Sequence, residues 1–244
     1  MILHRVLPDG ARLSPEDLIS ELHPADLAPA GRPFVFLNMV TSLDGRAAVE
    51  GSTRRLGGAA DLALLLELRM LADAVLIGTG TLRAEGYDRL IRAPERRARR
   101  RSAGLAEDPP AVLISRGLDL PWEAGLFQSP EQPVLVYTGA DTAPPAVAAR
   151  VEVVRLEEPT PAAALADLRG RGVRALLCES GPVLNGALLA AGLVDELFLT
   201  LSPLLTGEPG APRIVEGAGL PAPASLELRW ACHHEGELYL RYAL

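Results

Sequence analysis

Lysine is absent from the 244 residues: all 24 basic side chains are arginine. The chain therefore cannot form a Schiff base on lysine, nor build the phosphate loop that depends on a lysine amine. Abundant Ala, Gly, Pro and Arg beside only two asparagines, Asn38 and Asn185, point to base composition as the cause. Cysteine is scarce too. Cys178 and Cys232 are too few for a disulfide framework and lack metal-ligand spacing, and the four histidines form no metal motif. No apolar run approaches the roughly 20 residues that cross a bilayer, and "MILHRVLPDG" does not read as a signal peptide. These gaps suit a cytoplasmic protein. The net charge of -7 argues against general binding to nucleic acid or membrane surfaces.

What is present alternates. Strands are predicted over 33–40, 73–77, 111–115, 133–138, 151–156, 175–180, 195–203, 226–234 and 237–243. Between them "AADLALLLELRMLA", "PAAALADLRGRG" and "VLNGALLAAG" carry helical spacing. This is an α/β pattern: a mixed, mostly parallel sheet with helices on both faces, ending in an antiparallel hairpin through the short "EGE" turn. His233 and His234 fall on the late strand, and Met39 and Met70 in the core. Residues 1–27 are expected as an N-terminal arm and 28–244 as one domain.

Two strand-to-helix junctions carry chemistry. "DAVLI" runs into Gly78-Thr79-Gly80, and "ALLCES" into Glu179-Ser180-Gly181-Pro182, where Pro182 suits a first helical position. Glycines there let backbone N–H groups approach an anion at the positive end of a helix, although each could equally be a structural tight turn. Two such cradles suit a doubly anchored ligand, of which a dinucleotide is the commonest. The strand "AVLIS" then ends in Ser115-Arg116, with no acid to hold a ribose hydroxyl. Arg116 would accommodate a 2′-phosphate, favouring NADPH over NADH; its alternative reading is solvated surface. The cofactor would carry the chemistry.

"NMVTSLDGRAA", "LRMLADAVLIGTGTLRAEGYDRL" and "LLCESGPVLNGALLAAGLVDELFLTLSPLLTG" together resemble the reductase domain of the riboflavin-pathway pyrimidine deaminase-reductase and its stand-alone relatives. The resemblance runs from about Arg32 to the C-terminus. It implies a dihydrofolate reductase-like fold and NADPH-dependent reduction of a ribosylaminopyrimidine phosphate to its ribityl form. It further implies that Val40, Thr81, Glu85 and Ser115 line the cofactor, with Gly181, Pro182, Val183, Leu184, Asn185, Gly186 and Ala187. Thr53, Arg69, Arg92 and Glu179 would hold substrate. Planar guanidinium groups at Arg69 and Arg92 suit a phosphate. Asp44 and Glu85 are the catalytic candidates, Asp44 read otherwise as a turn aspartate before Gly45.

Two departures bear on substrate. Where the family carries Thr-x-x-x-Asp-Asp/Asn-Pro, the chain reads Thr81-Leu-Arg-Ala-Glu85-Gly86-Tyr87, and Arg55 replaces an expected aromatic. Reduction of a related heterocycle such as dihydrofolate is the alternative. A nucleic-acid-binding module is a third reading, resting on "RAPERRARRRSAG", which lacks interleaved aromatics and reads as a solvated loop. The apolar "LVDELFLTLSPLLTG" and the closing hairpin lead us to expect a homodimer.

Overall fold

The computed structural model describes Met1–Leu244 as two compact units. One comprises Met1–His23, Val35–Leu68 and Pro182–Leu244; the other Pro24–Phe34 and Arg69–Gly181.

The second unit is a parallel sheet. Its strands are β4 (Ala74–Ile77), β5 (Ala111–Ile114), β6 (Pro133–Thr138), β7 (Arg150–Arg155) and β8 (Ala175–Glu179), in the spatial order β8-β4-β5-β6-β7. "AVLI" of β4 and "ALLCE" of β8 are buried at every position, as strands covered on both faces require. At the other edge β7 presents Arg150, Glu152 and Arg155, a charged row that discourages pairing with another chain. Asp73 accepts from the backbone of Arg174 and Ala175, tying together the starts of β4 and β8. Four helices belong here: α3 (Thr79–Glu85), α4 (Pro94–Ser102), α5 (Gly125–Gln128) and α6 (Pro161–Gly170). Helix α6 starts on Thr160, whose hydroxyl accepts from Ala163 N, with Pro161 in the first turn.

Helix α4 corrects the expectation of a solvated loop. Pro94 opens it and Arg99 to Arg101 close it, cations at the negative end of the helix. Arg100 is fully buried. It donates to the carbonyls of Arg69 (2.6 Å), Met70 (3.3 Å) and Ala106 (2.7 Å). The guanidinium thus caps the last turn of α2 (Ala59–Leu71). Charge repetition hid this role, because sequence cannot tell which arginine of a run faces inward.

The first unit contains β1 (Leu3–Leu7), β2 (Arg12–Leu13), α1 (Pro15–Ile19), β3 (Phe34–Ser42), α7 (Pro182–Ala190), β9 (Glu196–Ser202), β10 (Glu227–His234) and β11 (Glu237–Ala243). Its order is β2-β1-β10-β11-β9-β3, antiparallel except for β3 beside β9. The expected hairpin is present, turning at Glu235 (φ 49°) and Gly236 (φ 88°), the left-handed pair that matches strand twist. The residues expected as an N-terminal arm carry paired structure: β1 adds to β10, and Ser14 caps α1 through a box with Asp17. Met39 and Met70 are buried as expected.

A pair of carboxylates lies within this unit. Glu237 accepts from Gly58 N at 2.7 Å and from the Tyr239 hydroxyl, and half-buried Asp61 bonds Thr200 with the Glu237 charge nearby. Burial pushes Asp61 from 3.8 up to about 6. The folded state therefore binds a proton that the unfolded state has released. Stability falls as pH rises through roughly 4 to 6, and the cost is complete by pH 7. Asp61→Asn is expected to remove that slope and stabilise the protein at pH 7 by about 2 kcal/mol, after allowing for partial solvent screening. Urea midpoints at pH 4 and pH 7 check it; parallel shifts at both would contradict it.

Candidate active site

From β4 the chain moves outward through β5 and β6 to β7, then returns to β8 on the opposite flank of β4. The order reverses between β4 and β8, and such switch points open a crevice beyond the carboxyl ends of the strands. Ile77 of β4 lies beside Glu179 of β8, so the two glycine junctions are neighbours. A Cβ on Gly78 would lie 2.7 Å from Gly181 N, and one on Gly181 would lie 2.9 Å from the Thr81 hydroxyl. Only glycines allow that approach. Gly80, expected in a loop, falls in the first turn of α3; it is exposed, with no atom within 4 Å of where a Cβ would stand. Its backbone is open to a ligand.

Glu179 ends β8 beside these junctions, and its carboxylate is buried. Arg69 donates through Nε and Nη2, both at 2.7 Å, and the Tyr87 hydroxyl donates at 2.9 Å. The Arg69 and Glu179 side chains are 12% and 4% exposed, so this is an enclosed, two-pronged ion pair. Arg69 also donates Nη1 to Leu90 O at 3.0 Å. Burial and the nearby Glu179 charge raise the Tyr87 pKa well above 10, keeping the phenol a donor. The charge of Glu85 acts in the same direction.

The sequence-predicted residues separate accordingly. In the second unit, Arg69 and Glu179 meet, whereas Arg92 is 72% exposed and 3.1 Å from Asp88. Arg69, expected to hold substrate, pairs with Glu179. Ser115 is buried at the end of β5, and Arg116 is exposed while its carbonyl accepts from Thr138 Oγ1 and Gly139 N. That anchors the backbone and leaves the guanidinium facing solvent.

In the first unit, Val40 is buried on β3, Thr53 is half-buried, and Pro182, exposed Val183 and Leu184 form the first turn of α7. Ala187 is exposed as well. Asn185 and Gly186 are packed inward. Asn185 is fully buried, donating to Ile214 O and to the Met39 sulfur, and a Cβ on Gly186 would collide with Glu216 O. Packing claims both.

Asp44 is held by four donors. It accepts from Ser42 Oγ (2.6 Å), Thr206 N and Oγ1 (both 3.1 Å) and Gly207 N (2.9 Å). Those donors, with Ser42 first, hold its carboxyl far below the usual range. It joins two loops as an ionised acceptor. Tyr87 was missed as a site residue; its only signal was its place in a motif that otherwise carries proline.

Comparison with known proteins agrees with this architecture. The RibD C-terminal domain family matches residues 33–237. The chain belongs to that family. Within it, the chain is 28% identical over 194 residues, 78% of its length and 86% of the relative's, to the 2,5-diamino-6-ribosylamino-4(3H)-pyrimidinone 5′-phosphate reductase of Methanothermobacter thermautotrophicus. It is 31% identical over 180 residues to the riboflavin biosynthesis protein RibD of Mycobacterium tuberculosis, covering 73% of this chain and 44% of that one. A pyrimidine reductase-like protein from Corynebacterium diphtheriae superposes with a TM-score of 0.79 at 24% identity, covering 95% of this chain and 98% of the other. That likeness shows the fold, the dihydrofolate reductase-like architecture expected from the resemblance.

Proposed function

We propose that the chain is an NADPH-dependent reductase of a ribosylaminopyrimidine 5′-phosphate, delivering hydride to the sugar C1′ and producing the ribityl product. The observation that carries this reading is the β4/β8 switch point, where Gly78 and Gly181 bring two strand-to-helix junctions into contact beside Glu179. The relatives named as reductases of such phosphates support the substrate class. The residues fit a dinucleotide: bare backbone at Gly80, the junction at Gly181, and Ser115 with Arg116 at the next strand end. When bound, NADPH supplies the hydride. The protein's contribution is to orient the sugar and exclude water, with Glu179 as the acceptor that receives it. Following NADPH absorbance with the pyrimidine phosphate tests the reading, and no loss of absorbance would contradict it.

Arg116 supplies the preference for NADPH. A phosphate there makes a charge-assisted bond at a partly exposed site. Arg116→Ala is expected to weaken NADPH by about 1.5–3 kcal/mol, roughly ten- to a hundredfold, with NADH barely affected. Fluorescence titration of both cofactors checks this; an unchanged ratio would contradict it. Arg83 is the poorer candidate, since it already pairs with Asp119 at 2.8 Å.

We infer that two copies associate through the antiparallel face of the first unit. Leu201, Leu199 and Leu197 of β9 stand opposite Leu238, Leu240 and Tyr242 of β11, and Leu228 of β10 extends the row. Leu228 and Leu238 are 39% and 40% exposed, more apolar surface than a lone sheet face usually presents to water. Light scattering at micromolar concentration is expected to give the dimer mass; a monomer would contradict it. Two buried thiols and the absence of a helix long and apolar enough to cross a membrane are compatible with action in the cytoplasm.

A further inference from the structure

Position 87 departs from the family motif, and the exchange of proline for tyrosine puts a hydroxyl against Glu179. Gly86, at φ 66°, ends α3 in the left-handed conformation, reversing the chain so that Tyr87 follows directly. The tyrosine is then held at both ends. Its carbonyl accepts from Leu126 N at 2.8 Å, where Gly125 leaves room, and its hydroxyl donates to Glu179 Oε2. The Arg69 guanidinium lies 5.8 Å from the ring centroid, completing a closed cluster of three side chains.

This cluster changes what Glu179 offers a ligand. A carboxylate has about four acceptor positions, and Arg69 with Tyr87 fills three of them. The fourth, on Oε1, remains. Arg69 cancels the charge, so the end of β8 keeps one unfilled acceptor position within an enclosed pair and offers no grip for an anion. A sugar hydroxyl or ring amine fits it; a phosphate does not, and exposed Arg92 is the cation left in this unit's predicted substrate set.

On the reductase reading, on which this rests, we propose that Tyr87 is a positioning residue that fixes Glu179 as a single-site acceptor, so that the chain selects substrates carrying a hydroxyl or amino donor there. Tyr87→Phe keeps the ring and removes only the hydroxyl. We expect KM for the pyrimidine phosphate to rise about tenfold, with kcat and NADPH affinity within about twofold, because only substrate alignment is lost. In a Glu179→Gln background the same change should alter kcat/KM by less than about twofold, since the two residues act as a unit. An unchanged KM, equal effects in both backgrounds, or parallel loss of NADPH binding would each overturn the proposal. Wild-type protein that binds NADPH yet leaves the pyrimidine phosphate unreduced would overturn the reductase reading itself, and this proposal with it.

Discussion

Glu179→Gln is expected to lower kcat/KM for the pyrimidine phosphate about a hundredfold, roughly 3 kcal/mol of transition-state stabilisation, while NADPH affinity stays within about twofold. Glutamine keeps the shape but offers one carbonyl acceptor in place of two charged oxygens. Arg69 would lose one of its two 2.7 Å bonds and all of its charge compensation, although its side chain is only 12% exposed. A buried cation deprived of its partner costs about 3–5 kcal/mol, so the variant should also melt earlier. The two consequences can be separated. Assays well below the melting transition report alignment of substrate, and thermal melts report the ion pair. Equal losses of substrate turnover and NADPH binding would show that Glu179 only braces the fold.

Arg100→Met is the larger stability change expected outside the crevice. The side chain has no exposed surface and makes three bonds to backbone carbonyls, two of them at the end of α2. Its Nη2 has no partner, and burial lowers its pKa to about 10, so part of the interaction offsets desolvation. Methionine restores the apolar stem but leaves carbonyls at Arg69, Met70 and Ala106 without their donor. We expect a net loss of about 2–4 kcal/mol, a fall in Tm of about 10 °C for a chain of this size. Because Arg69 sits in the turn that Arg100 caps, substrate KM should rise as well. A melt within about 1 °C of wild type would mean that the helix end is held by other contacts.

The fold was legible where sequence writes it in hydrophobic runs. The fully buried β4 and β8 are apolar throughout apart from the terminal Glu179, and the Glu235-Gly236 turn announces the hairpin. The first strands were not legible. β1 reads "LHRVL" and β2 only "RL", too short and too polar for periodicity to register, and they exist because β10 offers an edge. The site was legible as residue types but not as pairings. Arg69 and Glu179 stand 110 positions apart, and nothing local says that they bind one another before any ligand. Asp44 illustrates the same limit: its partners Thr206 and Gly207 come from a loop more than 160 positions away. Asn185, expected at the cofactor through the family resemblance, lies one turn into α7 with its amide on Met39 and Ile214, a pairing that nothing local in the sequence announces.

The most direct test is loss of NADPH absorbance with purified protein, with the ribosylaminopyrimidine 5′-phosphate and dihydrofolate in parallel and NADH as the second cofactor. Rapid oxidation of NADPH with the pyrimidine phosphate, formation of the ribityl product, and much slower reaction with NADH or with dihydrofolate are expected. Reduction of dihydrofolate in preference to the pyrimidine phosphate, or no oxidation with either, would contradict the proposed function.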